Sequence, residues 1–301
     1  LNGRVYALPL DPSVQIFLYR TDLFHDAKLC RAYYERFHEN LVVPTTYEQY
    51  LHAAEFFTRS CNPDSPTEYG TTMTCGSASV AASDFLPFYL SRIDRFGSTP
   101  ETLRLDSPEM QAAMRQYHAL EKFSCKQNWW GDSIQKFAEG KTAMTVIYSN
   151  YAAELINSGN SVVVGRVGAA ILPGCKPLLG GGIVGISRYS QKAEACKQFF
   201  HWYYSADVAS LLVRLGGTSP IVDAYEDFQN YSIFPWMNTS KKSFGLGQRG
   251  VINQTPERFS IPKYEFAVGT AVRNVVQDLM PPEDASRMAQ ALYDAADPVC
   301  R

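Results

Sequence analysis

Tyr148-Ser149-Asn150-Tyr151 packs two phenol rings, a hydroxyl and an amide into a single turn of chain. Residues of these types suit the binding of a polyhydroxylated solute. An aromatic ring covers the apolar face of a sugar, and Asn or Asp side chains satisfy its hydroxyls. Trp129, Trp130 and Tyr264 are further aromatic candidates. The competing reading for each ring is packing in the core. For Trp129 and Trp130 both readings stay open. Tyr148 and Tyr151 follow the apolar run Thr142 to Ile147, so they fall at a strand end, the edge where open α/β sheets bind ligands.

Other chemistries find less support. Gly180-Gly181-Gly182-Ile183-Val184-Gly185 satisfies G-x-G-x-x-G, but a dinucleotide site needs a strand before the first glycine and a helix at the last. Here Pro177-Leu178-Leu179 precedes and a strand-like run overlaps the glycines, so the segment reads as a loop that lets backbone approach a ligand. There is no G-x-S-x-G elbow, and His25, His38, His52, His118 and His201 mostly fall within amphipathic helices. No pattern selects a pair of carboxylates for glycoside hydrolysis. The seven cysteines include no C-x-x-C pair and no histidine at metal-ligand spacing. A pairing such as Cys61 with Cys75 and a fully reduced state fit the count equally well. No catalytic residue, metal or cofactor is expected.

The composition agrees with a binding role. Of 301 residues 46% are hydrophobic and 19% charged, with 18 Tyr and 17 Phe, so the chain is globular. A net charge of −2 gives no electrostatic footprint for nucleic acid. The length exceeds what one core usually supports, which points to two lobes. No apolar run is long enough to span a bilayer. Leu1-Asn2-Gly3 does not open a signal peptide, although removal of a targeting segment fits equally well.

The elements that must position the corner can be read in order. A first strand, the interruption Pro9-Leu10-Asp11-Pro12, and a second strand Val14 to Tyr19 form a hinge-like crossing. Helices follow over Ala27 to Asn40 and from Tyr47 to about Arg59, the latter capped by Thr45 or Thr46 with Glu48 completing a capping box. A β-prone run ends at Thr74. A helix from about Ser79 to Phe96 is expected to kink or break early at Pro87, and Ser107-Pro108-Glu109 opens another to about Ser124. Phe137 and Ala138 close a helix ahead of the corner. Strands are expected over Ser161 to Val167, Ala169 to Pro173 and Ile183 to Ile186. Ser190 is expected to cap a helix to Tyr203 with Ala195, Phe199 and Trp202 on its core face. A helix from Ala206 to Leu215 stops at Gly216-Gly217. Residues Tyr231 to Phe259 read as loop, with glycosylation-type triplets at Asn230, Asn238 and Asn253. Two helices, Ile261 to Leu279 and Pro282 to Ala296, end the chain.

Several segments, in order, resemble one family. Asn2-Gly3-Arg4-Val5-Tyr6-Ala7-Leu8-Pro9 with Leu18-Tyr19-Arg20-Thr21-Asp22-Leu23-Phe24, Pro44-Thr45-Thr46-Tyr47-Glu48, Phe137 to Met144 (FAEGKTAM), Val167 to Gly174 (VGAAILPG) and Gly216 to Pro220 (GGTSP) are similar to motifs of the family 1 extracellular solute-binding proteins, the maltose-binding-protein-like receptors of ABC importers. The resemblance implies a two-lobed, type II periplasmic-binding-protein-like α/β fold that binds a sugar or polyol between its lobes and passes it to a membrane permease without chemistry. It implies a bacterial periplasmic or extracellular protein anchored at the cell surface.

The resemblance also implies contacts from Asp11 and Ser13 after the hinge, from Gly76, Ser77 and Asp84, from Tyr148, Asn150 and Tyr151, from Gly181 and Gly182, and from Tyr264 and Glu265. Trp129 joins them from its own chemistry. Glu265 stands where the family carries an aromatic, a departure that argues against a maltodextrin. Elements that precede the first motif in the family have no counterpart here. The first lobe is therefore expected to be truncated, with Asp11 to Leu179 and Asn230 to Arg301 forming the second lobe and Leu1 to Leu10 with Gly180 to Gln229 a remnant of the first. The remainder would come from the rest of a longer protein or from another chain. The alternative function is a ligand-sensing domain of a signalling protein built on the same fold.

Overall fold

The computed structural model describes residues 5–93, 104–157, 159–227, 229, 234–247 and 261–295. Its strands are β1 (Leu8–Pro9), β2 (Ser13–Arg20), β3 (Thr71–Thr74), β4 (Ser124–Gln127), β5 (Met144–Tyr148), β6 (Val167–Ala170), β7 (Leu179–Gly180) and β8 (Ile183–Val184). Its helices are α1 (Thr21–Phe24), α2 (Ala27–Phe37), α3 (Tyr47–Phe56), α4 (Ala78–Leu90), α5 (Pro108–Glu121), α6 (Trp130–Ala138), α7 (Glu154–Asn157), α8 (Ala193–Tyr203), α9 (Ala206–Arg214), α10 (Pro235–Leu246), α11 (Ile261–Val276) and α12 (Pro282–Asp294).

β2 is the central strand. It pairs antiparallel with β5 on one side, with β6 on the other and with β7 at its start. Its apolar residues point both ways, because helices cover both faces of the sheet. Phe17 enters a core built from α3, α4, α5, α11 and α12. Val14, Ile16 and Leu18 enter a second core with α6, α9 and α10. β3 and β4 form a separate parallel pair. The threonines of β3 are buried and their hydroxyls are matched: Thr72 meets Thr145 at 2.7 Å and Thr74 meets Ser133 at 2.8 Å.

α4 and α11 cross at very close range. A Cβ on Gly269 would lie 1.7 Å from the Ala78 carbonyl oxygen, so only hydrogen fits there. α4 also runs through Pro87 rather than breaking at it. Proline removes the N–H that would bond the Ser83 carbonyl. Buried Gln15 replaces it: its Nε2 donates to Ser83 O at 2.8 Å, while its Oε1 accepts from Leu178 N at 3.0 Å.

Other elements differ from expectation. α3 is capped by Thr46, but Gln49 completes the capping box, because Glu48 sits one position too early. Residues 161–166 are not strand; β6 begins at Val167. Residues expected to be loop contain α10, which has Pro235 in its first turn and Trp236, Met237, Ser240 and Ser243 buried on one face. Asn238 therefore lies in a helix, while Asn230 and Asn253 fall outside the described residues. α8 ends at Tyr203 as expected but begins only at Ala193, so Ser190 does not cap it, and none of its residues is buried. Phe199 and Trp202 are 44% and 58% exposed. Their periodicity is helical, but no described element packs on that face. Cys30, Cys61, Cys75, Cys125, Cys175 and Cys196 are free thiols; Cys300 lies outside the described residues.

Candidate functional site

The corner lies where β5 ends beside the start of β2, with Tyr148 opposite Gln15. It opens onto a cavity of about 320 Å³, a volume within the range of roughly 300–1,000 Å³ typical of small-molecule sites. Each wall comes from a different element. Asp11 and Ser13 follow the crossing, Gly180 and Gly181 face them, and Ser79, Val80 and Ser83 come from the first turns of α4. Trp129 and Trp130 come from the start of α6, and Tyr148, Asn150 and Tyr151 from the end of β5.

The aromatic side is held by specific contacts. Asp132 Oδ2 accepts the Trp129 backbone N–H at 3.1 Å and so fixes the turn into α6. Trp130 is buried and meets Tyr148 edge-on, with ring centroids 5.1 Å apart. Trp129 is 49% exposed, and its indole N–H donates to the Tyr151 hydroxyl at 2.8 Å. Burial pushes the Tyr151 pKa up, opposed by the Trp129 hydrogen bond and reinforced by the charge of Asp11. Tyr151 thus stays protonated at neutral pH, and its own proton is left for an acceptor other than Trp129. Next to it, Asn150 Oδ1 is buried and has no hydrogen-bond partner among the described residues. A buried amide oxygen of this kind calls for a donor, which a ligand hydroxyl supplies. Ser149 points the other way, its Oγ accepting from Val14 N at 3.3 Å.

The opposite edge needs glycine. Gly181 has φ +103°, and a Cβ there would lie 2.3 Å from the Asp11 carbonyl oxygen. A Cβ on Gly180 would lie 2.6 Å from the Tyr148 ring. The G-x-G-x-x-G segment therefore forms β7, a turn and β8, with no helix at its last glycine. Among the residues lining the cavity Asp11 is the sole carboxylate, and there is no Lys, Arg or His.

Of the residues singled out from sequence, Asp11, Ser13, Trp129, Tyr148, Asn150, Tyr151 and Gly181 converge on this cavity. Gly182 sits beside it and donates its N–H to Asp11 Oδ1. The others are placed elsewhere. Ser77 caps α4, its Oγ accepting from Val80 N at 3.4 Å, and Gly76 packs against the Asn128 backbone. Asp84 faces the core, where it accepts from Thr74 N at 3.1 Å and from the Tyr117 hydroxyl at 2.6 Å, and burial raises its pKa to about 7. Tyr264 is 2% exposed inside the α4–α11 core, and neither it nor Glu265 lines the cavity.

Sequence reasoning missed Ser79, Val80, Ser83 and Gly180 and left Trp130 undecided. The α4 residues carried a usable signal. Ser79, Val80 and Ser83 share one helical face, and Asp84, one residue further, is turned about 100° away from Ser83.

Residues 1–236 match the family described as bacterial extracellular solute-binding protein. Among solved structures, the chain is similar to a solute-binding protein of an ABC transporter from Agrobacterium radiobacter in complex with ribitol. That likeness has 23% identity and a TM-score of 0.78, covering 97% of this chain and 71% of that one. Maltose-bound MalE3 of T. maritima matches at 21% identity and TM-score 0.75, covering 97% of this chain and 73% of that one. An Agrobacterium vitis solute-binding protein with bound D-mannitol matches at 19% identity and TM-score 0.74, covering 98% and 73%. At these identities the likeness establishes the fold, that of the two-lobed α/β periplasmic binding proteins.

Proposed function

The chain belongs to the bacterial extracellular solute-binding protein family, and from that premise we propose that its cavity binds a neutral sugar or polyol between two lobes that close around it. The family is one of binding proteins, so no chemistry is asked of the site. The observation that carries the reading is the cavity wall: a half-exposed Trp129 locked to Tyr151, beside the unpartnered buried oxygen of Asn150. A ring face and hydroxyl-matching groups on one wall are what a polyhydroxylated carbon chain requires. Ribitol, D-mannitol and maltose in structurally similar proteins support the same ligand class.

In this reading the loaded protein delivers its solute to the membrane permease of an ABC importer and works outside the cytoplasmic membrane, tethered at the cell surface. No helix among the described residues is long and apolar enough to cross a membrane. The lobes would meet at residues 10–12 and 181–182. α8 would belong to the first lobe. α9, whose Ala209 and Val213 pack with β2, would move with the second lobe.

Thermal denaturation with ribitol, D-mannitol, D-tagatose and maltose tests the assignment. A ligand at a hundred times its Kd stabilises the folded state by about 2.7 kcal/mol, which raises the melting temperature by several degrees. A flat response to all neutral sugars and polyols overturns the proposal.

A further inference from the structure

Two short antiparallel ladders flank the crossing. β1 pairs with β8 through Leu8 and Val184, and β2 pairs with β7 through Ser13 and Gly180. Between the ladders, Leu10 N donates to Gly182 O at 2.8 Å. The return bond is different in kind: the Gly182 N–H donates to the side chain of Asp11, not to a main-chain carbonyl. Pro12 offers no N–H, and Gly181 takes a positive φ at a place where a Cβ would strike the Asp11 carbonyl oxygen. Ahead of Asp11 the strand is fixed, because the Tyr203 and Tyr204 hydroxyls donate to the carbonyls of Leu10 and Pro9. Residues 11–12 and 181–182 thus lie outside both ladders and join them.

Asp11 also lines the cavity. We propose that Asp11 couples ligand occupancy to this crossing, with Oδ1 holding Gly182 and Oδ2, which makes no hydrogen bond among the described residues, accepting from a ligand hydroxyl. The inference rests on the reading of the cavity as a sugar or polyol site. A solute held by Asp11 is attached to the pivot itself and not to one wall alone, so filling the cavity fixes the torsions of Gly181 and Gly182. Binding and closure then share one carboxylate, and closure is favoured in proportion to the better contact made in the closed state.

The test uses the full chain, with Asp11→Asn and Asp11→Ala compared for amide exchange at Gly182 and for D-mannitol and ribitol affinity by calorimetry. Asparagine keeps an oxygen for Gly182 but presents an NH₂ to the solute, whereas alanine loses both contacts. D11A is expected to speed Gly182 exchange and to weaken binding, each on the order of tenfold, and to abolish solute-induced protection of residues 180–182. D11N is expected to leave Gly182 exchange near the wild-type rate and keep that protection, with binding weakened severalfold. Should D11A fail to fold, Asp11→Ser takes its place. Equal effects of D11N and D11A on both readouts, or D11A retaining wild-type exchange and affinity, overturn the coupling. Wild-type protein that gives no response to any neutral sugar or polyol overturns the ligand class, whereas wild-type protein that binds while D11N and D11A behave alike overturns the coupling alone, which separates the two failures.

Discussion

α11 and α8 look alike as sequences and differ in every structural respect. Both have apolar residues at helical spacing and a charged opposite face. α11 buries Tyr264, Ala267, Val268, Ala271, Val272 and Val275 against α4 and its neighbours, and Gly269 lets the two backbones meet. α8 presents Phe199, Trp202 and their neighbouring rings with nothing buried. Phe199 packs on Trp202 and stacks on Tyr203, at 5.7 and 5.8 Å between centroids, and the Tyr203 hydroxyl reaches the Leu10 carbonyl. Periodicity states which face of a helix seeks a partner. It does not state whether the partner lies among the residues at hand, and that information is carried by the elements facing the helix.

The contrast can be broken at its strongest point by Gly269→Leu. The side chain has no space at the Ala78 carbonyl, so a loss of at least ~4 kcal/mol or failure to fold is expected in chemical denaturation. A mild effect would mean that α11 is no more firmly packed than α8.

Asp84, on α4 beneath the same interface, sharpens the picture through pH. Its pKa rises from 3.8 to about 7 because burial penalises the charged form. The folded state therefore binds the proton more tightly than the unfolded chain. The resulting stability is fully present below the unfolded pKa and is lost as pH rises through about 7. Relative to Asp84→Asn, the wild type should lose about 2 kcal/mol between about pH 5 and about pH 7, on the scale of 1.4 kcal/mol per unit. Parallel pH profiles for the two proteins would show that Asp84 is solvated.

The cavity lies between the extremes of α11 and α8. Tyr151→Ala removes a hydroxyl that accepts from Trp129 and a half-buried ring, so solute affinity should fall by about tenfold with little change in melting temperature. A large drop in melting temperature at unchanged affinity would assign Tyr151 to the core. The smallest effect is expected for Trp202→Ser on α8. With its ring 58% exposed, the substitution should change stability by less than about 0.5 kcal/mol. A marked destabilisation would show that α8 is covered in solution.

The sequence read most clearly where local chemistry and packing agree. Apolar residues on both faces announced the buried central strand β2, Ser107-Pro108 started α5, and the run Thr142 to Ile147 delivered Tyr148, Asn150 and Tyr151 to a strand end. It was misleading where one local signal outweighed a pattern. The segment around Asn238 read as loop with its glycosylation-type triplet, and that reading passed over Trp236, Met237, Ser240 and Ser243, whose spacing marks the buried face of α10. Within the site, the error at Asp84 is a matter of helical phase: a 100° turn separates a cleft residue from a core carboxyl. The convergence of Asp11 with Asn150 was anticipated only through the family resemblance and not from local residue chemistry, because it depends on pairings across the sheet.

The Gln15 bridge to Ser83 has a bearing on how this chain can drift. With proline at 87, the Ser83 carbonyl has no helical donor, and losing the Gln15 amide would strand a buried acceptor at a cost of about 1–3 kcal/mol. With any other residue at 87, a main-chain N–H is restored and position 15 is released from that duty. The two positions constrain each other unequally: while proline stays at 87, losing glutamine at 15 strands both the Ser83 carbonyl and the Leu178 N–H, and once the proline has gone only the Leu178 contact still favours the glutamine.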